Sequence, residues 1–288
     1  MIYSSAKDFL DDPAKKLLFF GMSGLGKSYI ANTLRETGAW FHYSVDYRIG
    51  TRYMGEHIVD NFKYQAMRNP FLADLLRSDS IYIASNITFE NLTPLSTYLG
   101  KPGNPELGGL PFDEYLHRQT QHHTAEVAAL LDTQHFMKRA RQLYSYEHFV
   151  CDTGGSICEV VDPEDPKDPV LTQLSQTQLM VWIEGDDNHT AELVRRFDKA
   201  PKPMYYQSGF ITASWSEYLS INNIVENEVD PNDFIRWTYL RAMNHRQPRY
   251  ASMAKNWGIK IAASDLSLAR DESDVIELIA QALGTASS

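Results

Sequence analysis

Short apolar runs recur along the chain, separated by stretches long enough to hold a helix. The first, residues 15–20, stops at a glycine and is followed by residues 27–37, where Ile30 and Leu34 fall on one helical face. That pattern predicts strand, loop, helix. Further runs of strand length stand at 81–84, 148–151, 179–183 and 259–263, each followed by a segment of helical length. Strands alternating with helices predict an α/β fold with a parallel sheet, and no internal repeat is visible. Residues 271–283 place Val275, Ile276, Ile279, Ala280 and Leu283 at helical spacing behind an acidic first turn, the pattern of a closing helix.

Residues 63–147 fit the alternation less well. They hold the run at 81–84, a glycine- and proline-rich loop at 100–111 and a helix-compatible stretch from Asp113 onward. The expected organisation is therefore a core of residues 1–62 and 148–288, with residues 63–147 as a mostly helical insertion or a lid-like acceptor subdomain. Residues 162–169 alternate proline with charge and predict an exposed, stiff connection.

Composition narrows the function classes. With 288 residues the chain can bury a substantial core without staples. The two cysteines, Cys151 and Cys158, are too few for a disulfide framework and fit a reducing compartment. The early apolar run is far too short for a signal or membrane segment, so a cytoplasmic protein with no membrane partner is expected. A net charge of -10 argues against general nucleic-acid binding, which draws on clustered Lys and Arg. Oligomeric state is not legible.

The chemistry begins at the first glycine. Gly21, Met22, Ser23, Gly24, Leu25, Gly26, Lys27 and Ser28 satisfy G-x-x-x-x-G-K-[ST], placed after a strand and before a helix as a phosphate loop requires. The glycines let backbone N–H groups turn towards phosphate oxygens, Lys27 brings a cation to the outer phosphates, and the Ser28 hydroxyl can ligate Mg2+. Tyr29 follows on the first helical turn. The expected cofactors are ATP and Mg2+, in a P-loop NTPase fold of three α/β/α layers.

Further segments, in order, resemble the shikimate kinase group, with gluconate kinases and nucleotide kinases more distant. They are residues 41–49 and 58–62, then Phe149 to Ser156 with Thr153, Gly154 and Gly155, then residues 181–204, and last Arg246, Pro248 and Tyr250. By this resemblance Asp46 is the carboxylate that orients an acceptor hydroxyl and accepts its proton. Its alternative is a strand-end aspartate that caps a turn. The family's earlier aspartate, two positions before, is Ser44 here. Gly154 and Gly155 bring backbone N–H groups to the acceptor, and Arg246 grips its anionic group. Lys202 falls at the lid cation that neutralises the transferring phosphate, and Arg195 and Arg196 precede it towards the nucleotide. Asp152, at the end of an apolar run, either supports the metal or pairs with Lys27 or an arginine.

The function implied is phosphoryl transfer from ATP to a small-molecule hydroxyl, with an acceptor other than shikimate because the surplus length lies where that fold carries its acceptor segment and lid. The alternative is a nucleotide-hydrolysing switch that regulates a partner through the insertion. His117, His122, His123 and His135 do not share a helical face and predict a solvated surface, not a metal site. Tyr205, Tyr206 and Trp215 could stack on an adenine or a base, but such clusters more often form core or interface.

Overall fold

The computed structural model describes residues 1–286. Five parallel strands form one sheet: β1 (Lys16–Phe20), β2 (Trp40–Ser44), β3 (His148–Asp152), β4 (Leu179–Glu184) and β5 (Gly258–Ala262), in the spatial order β2-β3-β1-β4-β5. Consecutive residues are buried along β1, β3 and β4, which requires cover on both faces, and helices supply it. The helices Lys27–Glu36 and Thr133–Tyr144 both lie against β2 and β3, while Pro169–Thr177 lies against β4 and Glu272–Ala286 against β5. The expected α/β/α sandwich with a parallel sheet is the fold observed. Among the described residues no helix is long and apolar enough to cross a membrane.

The chain divides into two compact units. One comprises residues 1–45, 127–201 and 236–288 and holds the whole sheet; the other comprises 46–126 and 202–235. The second unit begins at residue 46, takes in 202–235, and leaves residues 127–147 with the sheet.

That second unit is helical. Its core is built on aromatic contacts: Phe112 stacks on Trp215 at 4.7 Å, and Phe234 meets Trp215 and Tyr218 edge-on at 4.8 and 5.2 Å. Tyr205 and Tyr206 are buried as well, as their clustering predicts. The loop at 100–111 is tied down by Asn104 N donating to Val229 O at 2.9 Å and Lys101 Nζ donating to Asn232 Oδ1 at 2.6 Å. Gly103 sits at φ +142, and a Cβ there would fall 2.7 Å from Val229 O, so the loop needs glycine at its closest approach.

Two expectations are corrected here. Residues 81–84 are not a strand: they lie outside any helix or strand, alternate in exposure with Tyr82 88% exposed, and do not join the sheet. The run has the period of a strand but belongs to the helical unit, which has no sheet edge to pair with. His122 is buried, not solvated; it stacks on Tyr205 at 4.9 Å, with Nδ1 3.6 Å from the fully buried Glu126.

Candidate phosphate-binding site

The loop between β1 and its helix is shaped by backbone that only glycine adopts at low cost. Gly21, Gly24 and Gly26 have φ of +136, +90 and +93. A Cβ at Gly21 would fall 2.7 Å from Ile183 O on the neighbouring strand, and one at Gly24 would fall 2.7 Å from Leu193 Cδ2. Met22 and Leu25 turn into the core and anchor the loop, while Ser23 and Gly24 face outward. Gly26 is the N-cap of the helix Lys27–Glu36, whose first turn therefore presents its N–H groups at the loop.

Lys27 is buried, and its Nζ donates to Gly21 O at 2.8 Å and Met22 O at 2.9 Å. The ammonium is thereby held inside the curve of its own loop. Ser28 follows, and its Oγ donates to Asp152 Oδ2 on β3 at 2.6 Å. Tyr29 projects from the same turn and is 62% exposed.

Asp152 is the last residue of β3, paired with Phe19 on one side and Ser44 on the other. Its second oxygen, Oδ1, lies 3.2 Å from His42 Nε2, both side chains being buried. Burial alone would raise the Asp152 carboxyl. The hydrogen bond and charge of His42, with hydrogen bonds from Ser28 and Ser44, outweigh burial and leave the group below its ordinary carboxylate range. It is therefore an anion at neutral pH, and of the two readings of this residue its contacts with Ser28 and His42 are what the structure supplies. His42 has no signature in the sequence; only the strand register brings it to Asp152.

Residues 153–163, after β3, are turns around the short helix Ile157–Val160, and several of their backbone carbonyls are satisfied by side chains from the second half of the helix Pro231–Trp257. Tyr250 OH donates to Gly155 O, Arg249 donates to Cys158 O at 2.6 Å and Val161 O at 2.7 Å, and Asn256 and Trp257 both donate to Pro163 O. Arg246 belongs to the same clamp. It is fully buried and gives Nε and Nη2 to the two oxygens of Glu159 at 3.0 and 3.1 Å. Burial would lower the arginine's pKa; the field of Glu159 overrides this and raises it well above its ordinary value. The two-pronged donor expected at an acceptor's anionic group is thus engaged by an internal carboxylate.

The clamp matters because Gly155 lies directly on the phosphate loop. A Cβ at Gly155 would fall 2.6 Å from Ser23 Oγ and 3.1 Å from Ser23 N. Thr153 closes the start of the segment, its N and Oγ1 both donating to Phe19 O. The loops after β1 and β3 therefore leave the carboxyl edge of the sheet in contact, the position where open α/β sheets bind ligands.

The remaining expected residues stand elsewhere. Arg195 and Arg196 are exposed on the helix Asp187–Lys199, where both reach Glu192 at 2.6 to 2.8 Å. Asp46 lies in the first turn of the short helix Val45–Arg48, directly after β2, and is half-buried. Lys202 is exposed on the irregular segment that leads to Tyr205 and Tyr206. Asp46 and Lys202 belong to the helical unit; the phosphate loop, Asp152, Gly154, Gly155 and Arg246 all belong to the sheet unit.

The donor set suits a hard divalent cation. Ser28 and Asp152 offer two oxygens 2.6 Å apart at the foot of a glycine cradle, the donor type magnesium takes when phosphates and water complete its shell. Among the described residues no group of three His, Cys, Asp or Glu side chains could hold a metal.

No protein-family model matches the chain, and no curated protein does. Among solved structures it is similar to a shikimate kinase from Bacteroides thetaiotaomicron, at 13% identity over 93% of this chain and 94% of that one, with a TM-score of 0.39. It is also similar to a shikimate kinase from Aquifex aeolicus, at 14% identity over 80% of this chain and 97% of that one, with a TM-score of 0.27. Neither likeness assigns a residue or an acceptor.

Proposed function

We propose that this chain is an ATP- and magnesium-dependent phosphotransferase acting on a hydroxyl group of a small molecule in the cytoplasm. One observation carries the reading: a glycine loop with three positive-φ glycines encloses a buried lysine, beside a hydroxyl–carboxylate pair formed by Ser28 and Asp152. That combination supplies amides and a cation to phosphates and oxygen donors to a metal, and no other ligand class needs all four.

In this reading the amides from Gly21 to Gly26 and the first helical turn hold the phosphates, and Lys27 exchanges its loop carbonyls for phosphate oxygens. Ser28 and Asp152 would hold magnesium, which when bound offsets negative charge on the phosphates. Asp46 orients the acceptor hydroxyl and accepts its proton, and Lys202 offsets charge on the group in transfer. Gly154 and Gly155 border the acceptor, with Arg246 acting beneath them as a positioning residue. The test is isothermal titration of a non-hydrolysable ATP analogue with Mg2+ into wild type and Lys27→Ala. Losing a buried charged donor is expected to weaken binding by about 2–5 kcal/mol, and an unchanged affinity would sink the assignment.

A second reading, nucleotide hydrolysis that switches a partner protein, is favoured by a different observation: the phosphate site is built wholly within the sheet unit, whereas Asp46 and Lys202 belong to the helical one. Hydrolysis needs only the former. Incubating the protein with ATP and a metabolite extract separates the two, since a metabolite that gains the mass of one phosphoryl group belongs to transfer alone.

A further inference from the structure

Asp152 ends its strand, and its terminal torsion is of the broad, weakly preferred kind, so nothing local fixes which way its carboxylate plane faces. Two neighbours on β2 do. His42 and Ser44 are two residues apart and so share a face of that strand, and Ser44 is the Cα partner of Asp152 in the β2–β3 register. His42 Nε2 stands 3.2 Å from Oδ1, the Ser28 hydroxyl donates to Oδ2 at 2.6 Å, and Ser44 adds a further hydrogen bond to the carboxylate. With the carboxylate ionised, Nε2 carries the hydrogen and donates it. The two oxygens are thus divided, one tied back into the sheet and one turned to the phosphate loop.

We propose that His42 is a positioning residue for the metal-supporting carboxylate: by holding Oδ1 it fixes Asp152 so that Oδ2 faces the Ser28 hydroxyl. This rests on the reading of the site as an ATP and magnesium site. A buried histidine on a strand would otherwise need only a hydrogen-bond partner, and any buried acceptor would serve. Here the partner is the carboxylate that accepts from Ser28 of the phosphate loop. Groups that orient metal-binding carboxylates in this way typically contribute about 10- to 100-fold in metal affinity.

The test measures metal binding without turnover. Mn2+ is titrated, by loss of the free-ion paramagnetic resonance signal, into the full chain saturated with a non-hydrolysable ATP analogue, for wild type, His42→Gln, His42→Leu and Asp152→Asn. Analogue affinity is measured separately in EDTA. His42→Leu is expected to weaken Mn2+ by roughly 10- to 100-fold with analogue affinity in EDTA unchanged, and His42→Gln, which keeps an N–H donor, to recover most of it. Wild-type Mn2+ affinity in His42→Leu overturns the positioning role while leaving the site intact. Wild-type affinity in Asp152→Asn, or no Mn2+ binding by wild type, overturns the metal reading itself and this role with it. Should His42→Leu not fold, the wild-type ring resonance of His42, identified by its loss in His42→Gln, is expected to shift when Mg2+ joins the analogue complex, and an unmoved resonance overturns the proposal.

Discussion

The sheet unit and the helical unit solve different problems with different means. In the sheet unit, residues far apart in sequence are brought together by strand register: Phe19 and Ser44 flank Asp152, and the loops after β1 and β3 meet where Gly155 touches Ser23. In the helical unit the same work is done by flat aromatic stacking, as between Phe112 and Trp215, and by a buried polar stripe in which Gln119 holds Met204 O and Tyr206 N. Register fixes the relative placement of side chains on neighbouring strands through a ladder of backbone hydrogen bonds. Stacking fixes planes but leaves the chain connecting them free to vary. The comparison teaches that the glycine-loop site is where the fold is most constrained, and that the helical unit is where it has latitude; on the proposed function, that latitude falls on the acceptor.

The largest expected effects set the two units against each other. Arg246→Ala removes the two-pronged donor from the buried Glu159 carboxylate, and breaking a buried pair in this way typically costs about 3–5 kcal/mol. Trp215→Ala removes the centre of the aromatic core at a similar cost, about 3–5 kcal/mol. Both should lower the melting temperature. Below the transition, only Arg246→Ala is expected to weaken binding of an ATP analogue, because its clamp sets Gly155 against Ser23. Equal loss of nucleotide affinity in Trp215→Ala would erase the distinction between the units.

Next comes Asp46, the one expected catalytic carboxylate in the helical unit. If it orients the acceptor, Asp46→Asn lowers phosphoryl transfer by roughly 10²-fold and leaves analogue affinity near wild type. Turnover on the phosphorylated metabolite and calorimetric affinity are measured on the same preparation. Normal transfer with a lowered melting temperature would remove Asp46 from the chemistry and confine the known constraints to the sheet unit.

How much of this was legible follows the same division. The phosphate loop was readable because its mechanism demands glycine at fixed spacing and a strand and helix on either side. Four of the five strands announced themselves as apolar runs; β2 did not, since its His42 and Ser44 interrupt the run, and it was placed by resemblance. Those same two polar residues are the ones that hold Asp152, so what hid the strand is what ties it to the site. Residues 81–84 show the converse, a strand period with no sheet to join. Arg246 was visible as a residue of interest, but that its fork closes on Glu159 depends on a contact 87 positions away, which no local pattern encodes.

A smaller effect sharpens the link between the two loops. Gly155→Ala puts a Cβ where Ser23 already stands, and forced overpacking costs about 1–3 kcal/mol. The phosphate loop must give, so the expected result is weaker analogue binding together with a lowered melting temperature. Pairing it with Ser23→Gly clears the hydroxyl and should recover part of the loss. Failure of the pair to recover anything would locate the cost in the backbone of the 153–163 segment instead.

The smallest expected effect uses the cysteines. Both Cys151 and Cys158 are buried in the sheet unit, and the helical unit has none, so thiol labelling reports the opening of one unit only. Burial pushes the Cys158 thiol up to about 12, against an unfolded value near 8.5. A group raised in the folded state holds its proton where the opened chain loses it, so this contribution is complete below about pH 8.5 and is lost as pH rises towards 12. Between pH 7 and 8 the folded thiol is therefore inert, and iodoacetamide reacts through opening alone. The labelling rate should rise about tenfold over that unit of pH, following the thiolate of the opened chain, and saturating ATP analogue with Mg2+ should slow it by the factor its binding sets on the opening equilibrium. Labelling that ignores the analogue would mean that the thiols are exposed by an opening the nucleotide does not oppose, and that the loops after β1 and β3 are not one cooperative piece.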